Sequence, residues 1–409
     1  MTRSSWTRAL FLVAALGAPT LRAGVADACG GCFAPSETNQ VVTDHLMVMA
    51  LHGSESILWD QIRYSGRPED FSWVLPVQGD ATVELASGAF FDTLSQLTAP
   101  TVTAPQPVCP GAGRGGFLAS DSAATSSPEA GGVQVISTAI VGPYQTVTLR
   151  STDADALSAW LRANRYAIPA SIEPVIRHYT DLRMDFIALR LRPTEGVQAM
   201  QPVRVRFATP SPVLPLRMVS AGIADKVGIS LFVFSEGRSE AMNFPNATVD
   251  RARVAWDYAT SSSNYPAMFR AAIAPSGGRA WVTEAAQPAS AYSETFRYSG
   301  EAFADWGVAV AGLSQPWVTR LRADLPASAL DRDLQLQAAA VGAALAPSFQ
   351  AGVLLNRPPC ATNDGFYSGT DTTSRGLTCA AGPGVAAPRG LFGLLALGLA
   401  AGVARRRRR

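Results

Sequence analysis

Lysine is nearly missing from this chain: Lys226 stands alone, so almost all positive charge is arginine. Charged residues of both signs make up only 16% of the 409 residues, below the roughly 25% usual for soluble domains. The net charge is +2, and its positive excess sits in the first 28 residues and in the tail from 380 onward. The segment between is therefore mildly acidic, which excludes nucleic acid as a partner, because phosphate binding needs a basic surface. Histidine is scarce too, with His45, His52 and His178 only. Zinc needs three or four ligands. His45 and His52 stand at opposite ends of one candidate strand, about 23 Å apart at ~3.3 Å per residue, so they share no metal and read as edge or turn residues, and His178 reads as a packed or surface histidine. No metal, cofactor or catalytic residue set emerges. A G-x-S-x-G elbow is lacking. Gly111 to Gly116 fits G-x-G-x-x-G in letters, with no strand before it and no helix after it, so it makes no phosphate cradle. There is no internal repeat.

Cysteine is limited to Cys29, Cys32, Cys109, Cys360 and Cys379, an odd number that leaves one sulfur unpaired or modified. Arg3 and Arg8 precede an apolar run from Ala9 to Ala18, and small residues end in Ala26-Asp27-Ala28. That is the layout of a secretory signal with cleavage after Ala28, and export makes disulfides available. Cleavage there leaves Cys29 first, a candidate for lipidation, although Ala26 stands where lipoprotein signals carry leucine. Cys29-Gly30-Gly31-Cys32 has the C-x-x-C spacing of thiol oxidoreductases. The motif lacks the preceding strand of a βαβ frame, so a structural disulfide is the simpler reading and envelope thiol–disulfide exchange the alternative.

The longest apolar run near the end, Gly390 to Ala404, leads into Arg405–Arg409. It is short of the roughly 20 residues of a comfortable span, but a tilted helix with snorkelling arginines would anchor the chain with those arginines on the cytoplasmic side. The sequence thus divides into a signal peptide (1–28), an extracytoplasmic domain (29–345), a flexible stalk (346–389) and a hydrophobic anchor helix with its arginine cluster (390–409). Residues 98–132, rich in Pro, Gly, Ser, Thr and Ala, read as a disordered loop within the domain.

The pattern of the body is β-rich α+β, with mainly antiparallel sheets and few helices. His45–His52, Ser56–Tyr64 and Ser72–Val77 read as three consecutive antiparallel strands, and Val133–Val141 with Tyr144–Arg150 as a hairpin about Gly142-Pro143. Two helices fall near 153–182, the first capped by Thr152 or Asp153. A third helix is expected over Ala86–Leu97. Met184–Leu191, Val203–Ala208 and Gly228–Phe234 read as strands. Val249–Ala255 and Met268–Val282 are weaker ones, and Glu284–Ala291 reads as helical. The tryptophans fall mostly inside candidate elements and read as core.

Several stretches resemble the bacterial DUF2330 family: the leader followed by ACGGCF, YSGRPEDFSWVLPV (Tyr64–Val77), the run from Leu157 to Pro193, Val203–Gly222, and Gly228–Arg238. The tail, with Cys379, a short apolar helix and an arginine cluster, resembles the MYXO-CTERM class of sorting tails. The resemblance implies an exported, often membrane-tethered protein and transfers no catalytic residue. The expectation is an envelope or outer-surface protein, associated with membrane through its C-terminal segment. Its role is binding or structural, with an envelope protein or glycan as a conceivable partner, rather than enzymatic. Mass spectrometry of the protein from its native membrane is expected to find Cys29 as the first residue and a processed C-terminus. Retention of residues 1–28 contradicts the signal peptide, and an intact arginine tail contradicts the sorting tail.

Overall fold

The computed structural model describes residues 32–33, 44–61, 67–104, 134–208, 210–220, 223 and 225–356. Two sheets carry the domain. The larger has eight strands, running from one edge to the other as Asn246–Ala247, Trp281–Pro288, Pro316–Pro326, Lys226–Glu236, Asp44–Leu51, Ser56–Asp60, Val203–Phe207 and Ala81–Leu85. All neighbours are antiparallel except two pairs, Lys226–Glu236 with Asp44–Leu51 and Asn246–Ala247 with Trp281–Pro288. The second sheet orders Cys32–Phe33, Ser72–Val77, Asp185–Leu191, Tyr144–Arg150 and Gln134–Val141, all antiparallel. The helices among the described residues are α1 (Gly88–Thr98), α2 (Ala154–Ala163), α3 (Glu173–Asp181), α4 (Leu216–Val219), α5 (Tyr265–Ile273), α6 (Ser293–Arg297) and α7 (Ala302–Val310).

Side-chain alternation on the strands explains the layering. Met47, Met49 and Leu58 of the large sheet meet Leu75, Val77, Ile187 and Leu189 of the second in one core. The intervening residues Val48, Ala50, Ile57 and Trp59 point the other way, against Phe90, Phe91 and Leu94 of α1, Phe296 of α6 and Trp306 of α7. On the far side of the second sheet, Val74, Phe186 and Ala188 pack against Leu157 and Leu161 of α2 and Ile176 and Tyr179 of α3. The order of layers is helices, sheet, sheet, helices. A strand covered on both faces has no polar side, and Ser56–Asp60 and Ser72–Val77 are buried at every position.

Local signals work as expected at several points. The Asp153 carboxylate caps α2, accepting from the N–H groups of Asp155 (2.8 Å) and Ala156 (3.1 Å). The hairpin turns at Gly142, whose φ is 55° and where a Cβ would lie 2.7 Å from Leu85 Cδ1.

Elsewhere the structure departs from the pattern. The first three strands do not form one sheet. Asp44–Leu51 and Ser56–Asp60 make a hairpin in the large sheet, while Ser72–Val77 crosses to the second. Met268–Val282 is not a strand. Pro266 in the first turn starts α5 there, and the strand begins at Trp281. That strand runs to Pro288, so Glu284 is extended rather than helical, and the pairing register jumps between Thr283 and Ala285. Val249–Ala255 is not a strand along its length: it holds a 3-10 turn, Arg251–Arg253, which the Asp250 side chain caps by accepting from the Ala252 N–H at 3.1 Å, and a strand starts only at Ala255. Thr101–Thr103 and Ser348–Gln350 pair in parallel, as do Ala255–Asp257 and Val353–Leu355, so the stretch just past 346 lies against the body.

Phe90 is the hub of the helical layer. Its ring contacts Trp59 (5.8 Å between centroids), Phe91 (6.1 Å), Phe234 (6.2 Å) and Phe296 (5.9 Å). Phe90→Ala is expected to lower unfolding free energy by about 3–5 kcal/mol with little change in the denaturant slope, as read by urea titration.

Candidate functional site

A cavity of about 320 Å3 opens where α3 ends and where the strands Ser72–Val77 and Val203–Phe207 run out. Its opposite wall comes from Ser211–Arg217 and from Arg332–Gln335. Two features aim the chain there. After α3, Arg183 takes the left-handed conformation at φ 57°. The N–H groups of Met184 and Arg183 then return to the carbonyls of Tyr179 (3.0 Å) and Thr180 (2.9 Å), a helix stop normally built on glycine. On the other side, Val213–Leu214 and Ser239–Ala241 flank Leu334–Ala338 in a three-stranded sheet, which fixes Asp333 beside α3.

The polar floor is a network about Asp333. The Tyr179 hydroxyl donates to Asp333 Oδ1 at 2.5 Å, and the Arg217 backbone N–H donates to the same oxygen at 3.1 Å. The Asn243 amide donates to the Asp333 carbonyl at 2.7 Å, while its own oxygen accepts from the Gln335 N–H at 2.9 Å. Burial raises the Tyr179 pKa far above its ordinary value, the Asp333 charge adds to the rise, and the Arg217 charge opposes it. Tyr179 is therefore a fixed donor, not a base. Of the two arginines, Arg332 is spent on Asp331 through two hydrogen bonds of 2.9 Å, which hold that carboxyl below its usual range. Among the described residues the Arg217 guanidinium has no hydrogen-bond or ion-pair partner.

A second polar group lies deeper, between the sheets. His45 and Asp60 are both buried, with Nδ1 and Oδ1 3.7 Å apart, too far for a hydrogen bond. The Trp73 indole donates to Asp60 Oδ2 at 3.2 Å. Both ring nitrogens of His45 and the Oδ1 of Asp60 lack partners among the described residues. They border a void of about 20 Å3, large enough for one water molecule. Burial lowers the His45 pKa to about 4 and raises that of Asp60 to about 7, the latter eased by the Trp73 hydrogen bond.

Other polar clusters are closed. Asp305 of α7 accepts from Trp59 Nε1 (2.7 Å), Arg204 Nη1 (2.8 Å) and the Ser87 N–H (2.8 Å). Glu284, the residue that the bulge leaves unpaired, turns inward to Arg320 Nε at 2.7 Å and to the Tyr265 hydroxyl at 3.1 Å. A groove of about 460 Å3 beside His52 is lined by Glu55 and Arg206, which pair with each other.

The sequence singled out none of the cavity's polar groups except His178, read as packed or surface, and its ring lies edge-on to Tyr179 at 5.2 Å. His45 is buried because its strand lies inside the large sheet, whereas His52 stands in the hairpin turn just after that strand, also buried, with Nε2 3.1 Å from the Ala309 carbonyl oxygen. Trp59, Trp73, Trp281 and Trp306 are buried, as the core reading expects. Cys29, Cys109, Cys360, Cys379 and the Ala28 cleavage position lie outside the described residues. Cys32 is placed only by its backbone pairing opposite Trp73. Among the described residues no group of three or more His, Cys, Asp or Glu is arranged to hold a metal, and no helix is long and apolar enough to cross a membrane.

Asp60 has a measurable signature. Its folded pKa, about 7, lies above the unfolded value of 3.8, so the folded state holds the proton more tightly. Stability from this group is full below 3.8 and is lost as pH rises through 7. His45 acts at the other end, losing stability as pH falls from 6.5 through about 4. His45 and, across the sheets, Tyr144 are the titratable neighbours. Asp60→Asn keeps an acceptor for Trp73 and removes the titration. Its stability relative to wild type is expected to rise between pH 4 and 7.5 by up to about 4 kcal/mol, read by urea unfolding at fixed pH values. A difference that does not change with pH contradicts the assignment.

Comparison with known proteins places the chain in a group defined by sequence. No curated protein and no solved structure matches it. The model of a family described as an uncharacterized protein conserved in bacteria matches residues 23–334, which include both sheets and every wall of the cavity except part of the segment at Gln335. The chain belongs to the DUF2330 family.

Proposed function

We propose that this chain is an exported protein of the bacterial cell envelope, held at or sorted to the membrane by its C-terminal segment, and that it acts by binding a small molecule. The observation that carries the binding role is the cavity of about 320 Å3 beside Arg217, within the size range of small-molecule sites. It joins apolar walls to a few fixed polar groups, the usual composition of such sites. Tyr179 and Asp333 are committed to each other. The exported location is supported by the residues from Arg3 to Ala28 and by a family found in bacteria.

A thermal-shift screen of the full chain against a chemically mixed small-molecule library tests this reading. Val213 lines the cavity, and Val213→Trp puts an indole into it and obstructs it. Compounds are expected to raise the unfolding temperature of the wild type and to leave the folded variant unshifted. Equal shifts in both proteins, or none in the wild type, refute the cavity as a binding site.

A further inference from the structure

The geometry points to a monocarboxylic acid with an apolar body as the ligand class of the cavity, with Arg217 as its anchor. This inference rests on the binding role proposed above. Cation supply and demand around the cavity carry it. Arg332 is consumed by Asp331, and Asp333 already accepts from Tyr179 and from a backbone N–H. Of the two arginines that line the cavity, Arg217 is the one whose guanidinium has no hydrogen-bond or ion-pair partner among the described residues. Its charge still reaches the site, since it opposes the pKa rise of Tyr179 and helps to lower that of Asp331.

A guanidinium with its fork free matches a carboxylate through two parallel N–H donors. One such cation beside the Asp333 carboxylate suits a single negative charge. A dianion would bring its second charge against Asp333, with Arg332 already paired to Asp331. The rest of the lining sets the other half of the ligand. Leu182, Met184, Phe207 and Val213 give the cavity an apolar wall, and Leu182 is 58% exposed at its rim. An apolar chain laid there removes that surface from water. A sugar or a free amino acid would leave polar groups against this wall without partners.

The test is calorimetric titration of the full chain with straight-chain monocarboxylates from butanoate to decanoate, alongside the matching alcohols and inorganic phosphate. At least one carboxylate is expected to bind, at least tenfold more tightly than its alcohol and than phosphate. Arg217→Met keeps the apolar stem and the backbone N–H to Asp333, and is expected to weaken that carboxylate roughly tenfold or more, with Arg217→Lys between the two. Circular dichroism confirms that each variant is folded. Equal binding of alcohol and carboxylate, equal binding of phosphate, or no loss in Arg217→Met overturns the carboxylate assignment. If other compounds from the library bind in a way that Val213→Trp abolishes while no carboxylate binds, the ligand class falls and the cavity reading stands. If nothing binds, both fall.

Discussion

The central strands of the large sheet are covered on both faces: the second sheet closes one and α1, α6 and α7 close the other. Every polar side chain on its strands is answerable to that. A buried donor or acceptor costs free energy until it finds a partner, and a buried charge costs more. The α1–α7 layer is placed by one carboxylate that meets this demand. Asp305 takes the Trp59 indole from the centre of the sheet, Arg204 from a strand near its edge, and the N–H of Ser87 at the start of α1. It thus locks two helices and two strands to each other. Glu284 answers the same demand by a different route, a register jump that turns one side chain out of the ladder and onto Arg320. Breaking either cluster leaves an unpaired charge in a dry layer, a heavier loss than the net worth of the pair.

Set against these, His45 and Asp60 are not paired off. They occupy the same kind of space but lie 3.7 Å apart with atoms unspent. Asp60 keeps one firm partner in Trp73. The two groups stand behind the Leu214–Pro215 wall, and Pro215 borders both the small void and the large cavity. This unsatisfied pair therefore lies next to the candidate site, while the Asp305 cluster serves the far side of the large sheet.

Much of the framework was legible in the sequence, for local reasons. Asp153 before an apolar period of helical spacing caps a helix wherever the rest of the chain goes, and Gly142 at a turn between two β-branched runs makes a hairpin. The DUF2330 likeness carried by Tyr64–Val77 and the stretches after it agrees with the family match. What failed depended on distant partners. Asp44–Leu51, Ser56–Asp60 and Ser72–Val77 are adjacent and similarly apolar, so nothing in them says that the third changes sheet. Glu284 reads as a helix former until Arg320 and the bulge are in view. The candidate site was invisible for the same reason. Tyr179, Arg217, Asn243 and Asp333 come from four separate stretches, each unremarkable alone, and only the short sheet at Leu334–Ala338 gathers them.

The parallel pairing of Lys226–Glu236 with Asp44–Leu51 at the middle of the large sheet bears on the order in which the chain can assemble. Asp44–Leu51 meets its hairpin partner Ser56–Asp60 as soon as both are synthesised. Its other side must wait until most of the second sheet, with α2 and α3, has been made. Through that interval a strand buried along nearly its whole length presents open backbone groups and bare apolar side chains. Such an edge recruits the wrong strand as readily as the right one, and long-range closures of this kind are slow. The nascent chain is thus most exposed to misassembly before residue 226 emerges.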